Sequence, residues 1–197
     1  MYKKQMLFQR IICYALLFAA VLVFVYSLGI MTDLYDALYL HSEDPENPAV
    51  QGAEVYIYMQ PFNRQLTAAG IALILSAVAL FVTNTHKRRK YYIGNYVTVG
   101  INAVLTVVTS VWALINVAEY KEAFLKVDFE ALKAESKIFK TLYTESTFWF
   151  DISVPVFAIL LLVTALSIGN LVFKILLMRG EKKLLEQSQQ ISTEVTE

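Results

Sequence analysis

Apolar positions in this chain gather into four long runs, with almost every charged residue in the stretches between them. The first run is Ile11 to Met31, twenty-one residues without a charge. The second is Leu66 to Thr83, the third Tyr96 to Ala118, and the fourth Phe148 to about Met178. At 1.5 Å of rise per residue, about 20 helical residues cross a hydrocarbon core roughly 30 Å thick. The pattern therefore predicts an all-α membrane protein, a bundle of four transmembrane helices at 11–31, 66–83, 96–118 and 148–178. The fourth run is longer than the core is thick, so it tilts or its ends lie outside. Asp151 and Lys174 bracket its buried part, and Pro155 predicts a kink near one membrane face. A basic leader, Lys3, Lys4 and Arg10, precedes the first run as in a signal peptide. That run exceeds the usual 7–15 residues of a signal-peptide core and ends in Met31-Thr32-Asp33-Leu34, so a retained helix is expected.

Between the spans the pattern changes. Residues 32–65 open with DLYDALYL, whose leucines and tyrosines suit a short interfacial helix. A Pro-, Gly- and acid-rich turn region follows, and then Ala53 to Met59, whose β-branched and aromatic content predicts a short strand. Residues 119–147 include a stretch without proline or glycine, 121–143, that reads as an amphipathic helix of about five turns. Leu125, Phe129, Leu132 and Phe139 form its apolar face. The two segments together predict a small extracytoplasmic cap. The short connection 84–95 is basic, and the tail 179–197 continues as helix before a polar end.

Charge orients the bundle. Residues 1–10, the connection with Lys87, Arg88, Arg89 and Lys90, and the region from Lys174 onward hold 11 of the 17 basic residues against 4 acidic ones, a net of +7. The other face holds 6 basic and 13 acidic residues, a net of −7. By the positive-inside rule both termini are expected in the cytoplasm. The zero net charge thus conceals a charge separation across the membrane, while 57 % apolar and 17 % charged residues agree with the run lengths. The basic connection is a topology determinant and is too small for a nucleic-acid groove.

Candidate chemistry is sparse. Cys13, the single cysteine, excludes an intrachain disulfide and any CxxC metal or redox site. His41 and His86 fall on opposite faces, so the pair cannot ligate haem within the bundle. No strongly ionisable group is expected at mid-membrane, which argues against a proton-coupled transporter and an intramembrane hydrolase. No cofactor or metal is expected. Uncharged polar residues do occur inside the runs: Asn102, Thr106 and Thr109 share a face of the third span, and Asn170 lies in the fourth. Small residues step by four at Ala68, Ala72 and Ser76 and again at Ala165 and Gly169, a spacing that permits close helix contact.

The layout of four spans and two external loops is similar to that of tetraspanins and claudins. Their loop cysteines are missing here, so no function carries over. By elimination the expectation is a non-catalytic accessory or scaffolding subunit of a larger membrane complex, such as an ATP-driven transporter. A bacterial cytoplasmic membrane is the expected location. Its partners are then the bilayer and a membrane protein, with a homo-oligomer as a further possibility. The alternatives are a small channel or transporter lined by Asn102, Thr106 and Asn170, and an extracytoplasmic ligand sensor.

Overall fold

The chain is rich in residues that cannot leave their backbone groups unpaired in lipid, and the helix solves this locally. A computed structural model describes residues 2–35, 50–85, 92–139 and 143–194. Its helices are α1 (Tyr2–Tyr35), α2 (Val55–Thr85), α3 (Tyr92–Phe124), α4 (Phe129–Phe139), α5 (Phe148–Asp151) and α6 (Ser153–Glu194). Four stretches, Lys4–Met31, Val55–Thr83, Asn95–Phe124 and Phe148–Ser188, are long and apolar enough to cross a membrane. All regular structure among the described residues is helical.

The four long helices form a ring: α1 packs on α2 and α6, and α3 completes it by packing on α2 and α6. The start of α1, the end of α2, the start of α3 and the end of α6 share one end, the basic end. The opposite end carries α4, α5 and the 50–54 turn.

Burial along each helix is one-sided, with large apolar side chains on the outside. On α1, Leu7, Ile11, Tyr14, Phe18 and Val25 point outward, while Leu16, Ala19, Ala20 and Val23 are fully enclosed. On α3 the inversion is stronger. Val97, Ile101, Val104, Val108 and Ile115 face out, and Asn95, Asn102, Thr106, Thr109 and Ser110 face in. An apolar shell around a partly polar interior is costly in water and natural in lipid.

Two glycines within the long helices allow close contacts. A Cβ on Gly70 of α2 would stand 3.1 Å from the Cα of Phe24, so the α1 backbone lies directly against it. A Cβ on Gly29 would run into the Trp149 ring of the α5 turn. Trp149 thus packs inward, and its neighbour Phe150 is buried. Only Phe148 of this aromatic trio is well exposed.

Three local expectations change. Residues 53–59 form no strand: a turn over 51–54 leads into α2 at Val55. Val55, Tyr56, Met59, Phe62 and Leu66 are all buried, at helical spacing on one face. Pro61 is accommodated within this helix. The five-turn helix over 121–143 is instead the end of α3, a turn, and the eleven-residue α4. Asp128 caps the new helix, its Oδ1 accepting the Ala131 N–H at 3.0 Å. Pro155 falls in the first turn of α6, where helix N–H groups have no intrahelical acceptor, so it requires no kink.

The end opposite the termini is held by aromatic packing and short polar contacts. Phe124 meets Tyr56, Phe129 and Phe150 with ring centroids 6.2, 5.2 and 5.1 Å apart. The Asp128 N–H donates to the Gln51 carbonyl at 3.0 Å. Gly52, at φ 86°, occupies the left-handed region, and a Cβ there would stand 2.9 Å from the Val127 Cα. Lys121 of α3 reaches Asp151 of α5 at 2.6 Å, and the Thr147 hydroxyl donates to the same carboxylate at 2.7 Å.

Candidate functional site

The polar residues inside the ring pair across its helix interfaces. Between α1 and α2, the Thr67 hydroxyl donates to Ser27 Oγ at 3.1 Å. Between α2 and α3, Asn102 Nδ2 donates to Ser76 Oγ at 3.0 Å, and Thr83 and Thr98 share a hydrogen bond of the same length. Between α3 and α6, the Thr164 hydroxyl donates to Thr106 Oγ1 at 3.3 Å. Between α6 and α1, Gln5 Nε2 donates to Asn170 Oδ1 at 3.3 Å and also to Gln9 Oε1 at 2.9 Å. Every interface of the ring therefore carries at least one side-chain latch. Such bonds contribute about 0.6 kcal/mol each in membrane bundles, and they also fix the rotation of each helix.

Near the basic end the four helices leave a cavity of about 10 Å³, close to the least space that holds one water. Its polar wall comes from Gln9 and Cys13 of α1, Asn95 of α3, and Ser167, Asn170 and Lys174 of α6. Asn95 is 1 % exposed, and among the described residues neither of its amide atoms has a hydrogen-bond partner. Lys174 is 8 % exposed. In the sequence Lys174 reads as a charge at the end of a span, but the helix continues to Glu194 and turns this lysine into the bundle. The available signal was its helical spacing from Ser167 and Asn170, which share its face.

The residues singled out in the sequence separate into distinct environments. Asn102, Thr106 and Thr109 of α3 and Asn170 of α6 are buried inside the ring. Ser76 reaches the interior through its bond to Asn102, Ala72 is half-buried, and Ala68 is exposed. Ala165 and Gly169 are exposed on the outer face of α6, and a Cβ on Gly169 would meet nothing within 4 Å. Leu132 is fully buried and Phe129 half-buried against Phe124, whereas Leu125 is exposed in the turn before α4. Phe139 ends α4. Lys87, Arg88, Arg89 and Lys90 lie outside the described residues, as do His41, His86 and Tyr39. Among the described residues no three His, Cys, Asp or Glu side chains gather as metal ligands do.

The sequence pointed to Asn102, Thr106 and Asn170, but not to the residues that complete the polar interior: Gln5, Gln9, Asn95 and Lys174. Gln5 and Gln9 precede the first uncharged run, where polarity reads as membrane exit. Comparison with protein-family models, curated proteins and solved structures gives no match for this chain.

Proposed function

We propose that this protein is a non-catalytic four-span subunit that supports a larger membrane complex, with a transporter, such as an ATP-driven one, as the partner class. The observation that carries the reading is the open notch at Ala165 and Gly169. Lipid chains gain nothing from a small side chain, whereas a partner helix gains close approach. These two small residues lie on the outer face of α6 between Leu162, Leu166 and Phe173, where none of the described residues packs against them. The interior polar residues that would line a conduction path in the competing channel reading are engaged in latches between helices. That pairing supports packing over conduction.

In this proposal both termini are cytoplasmic and the membrane is the bacterial cytoplasmic membrane. The end bearing α4 forms a small extracytoplasmic cap. Val50, Ala53, Val127 and Leu132 are its buried residues, and the Asp128–Gln51 bond closes it. The amphipathic face of α4 is reduced to Phe129 and Leu132 turned toward the bundle, and Ile138, 73 % exposed, is left for a partner or the lipid surface.

The test is purification of the tagged chain from its native membrane in mild detergent, followed by identification of what accompanies it. A stoichiometric membrane complex that Gly169→Phe dissolves, while the variant remains folded, supports the proposal. Recovery of the chain alone as a defined homo-oligomer overturns it. So does a complex indifferent to bulk at both Ala165 and Gly169.

A further inference from the structure

The cavity near the basic end is built in a way that helix packing alone does not require. A buried amide normally finds a partner for each polar atom, because an unsatisfied one costs about 1–3 kcal/mol. Asn95 has none for either, at 1 % exposure, and it lines the cavity. The neighbouring amides are oriented by Gln5, whose single Nε2 donates to both Gln9 Oε1 and Asn170 Oδ1. With its oxygen turned to Gln5, Asn170 has its NH2 group left to donate elsewhere. Ser167 adds a hydroxyl, Lys174 an ammonium with three donors, and no carboxylate lines the wall.

We propose that this cavity, enclosed by Asn95, Asn170, Ser167 and Lys174, is a binding site for one small inorganic anion of halide size. The chemistry follows from the wall. A donor-rich lining that includes an ammonium selects a negative charge, and the low dielectric of the bundle strengthens each charge-assisted bond. The class follows from the volume. About 10 Å³ holds one particle near the size of water, which suits a halide better than phosphate, sulfate or an organic acid. The donors come from α3 and α6, so the anion bridges these two helices, while α1 and α2 close the wall with Gln9, Ile12, Cys13 and Leu80. This inference concerns a resident ion and stands independently of any partner complex.

The experiment uses the purified full chain in detergent, with sodium chloride exchanged for sodium gluconate at constant ionic strength. Thermal unfolding of the wild type is expected to show a saturable rise in Tm with chloride, about 3–6 °C at ten times its Kd. Lys174→Met and Asn95→Ala are each expected to abolish that dependence. Because Lys174→Met alters a buried charge and can fail to fold, Asn95→Ala provides the second reading. Chloride NMR line broadening by the wild type, relieved by bromide, reports binding without a variant. A Tm indifferent to the anion overturns the proposal and leaves the cavity to a water molecule. So does a chloride effect retained in either folded variant, or the absence of line broadening.

Discussion

Among single residues, the glycines show how one residue type serves opposite purposes in the same bundle. Gly70 removes a side chain where the α1 backbone passes, with the Phe24 Cα 3.1 Å from where a Cβ would stand. Backbone cannot rotate away as a flexible side chain can, so Gly70→Ala should cost about 1–3 kcal/mol through overpacking. Gly169→Ala meets open space and should be neutral or slightly stabilising, since alanine is the better helix former by about 1 kcal/mol. Reversible unfolding of both variants in mixed micelles measures the contrast; equal effects would mean that the α1–α2 contact is looser than the structure shows. A four-residue step among small residues found Ala68, Ala72 and Ser76 in the sequence but passed over Gly70. Spacing reveals that a helix has a small face without saying which way it turns. The rotation was recoverable from the opposite side, because Ile71, Leu75, Val78 and Val82 mark the outer face of α2.

At the level of helices, the interior is organised by latches, and their effect on stability differs from their effect on structure. Asn102→Leu removes the bond to Ser76 but leaves an interface otherwise closed by apolar packing. The Ser76 hydroxyl retains the option of bonding to its own helix backbone. The expected loss is about 0.6 kcal/mol, far below the 2–5 kcal/mol of a large-to-small core change such as Leu16→Ala. Unfolding of the two variants side by side checks this ranking, and a larger loss for Asn102→Leu would indicate a buried network rather than a single pair. The spans were legible because hydrocarbon thickness imposes their length, and the helix extensions were not, because water imposes none. The stretch from Val55 to Phe62 carries strand-like composition, yet its apolar positions repeat every three or four residues. Period outweighed propensity once Tyr56 and Phe62 had α3 aromatics to pack on. The break before α4 had a local signal in Asp128, a good N-cap residue inside an otherwise uninterrupted helix-forming stretch.

On the scale of the whole molecule, the charge separation and the inverted burial pattern describe one object: a column with apolar sides and oppositely charged ends. Its length sets a direct test of orientation. From Glu145, exposed before α5, to Gln187, exposed near the end of α6, the chain traverses the full column. The α6 segment alone, from Ser153 to Gln187, covers about 51 Å at 1.5 Å per residue, well beyond a core of roughly 30 Å. The two positions therefore stand on opposite sides of any bilayer the bundle crosses. Cys13 is 1 % exposed and Cys13→Ala is a small change, so a cysteine-free background is available. In intact cells a membrane-impermeant maleimide should label Glu145→Cys at once and Gln187→Cys only after permeabilisation. This is the order the positive-inside rule predicts for an end that carries Arg179, Lys182 and Lys183. The reverse order would mean that the net −7 face is the cytoplasmic one and would invert the placement of α4. Labelling of both sites in intact cells would mean that the column does not cross the membrane at all. The apolar outer faces of α1 and α3 would then need a protein cover.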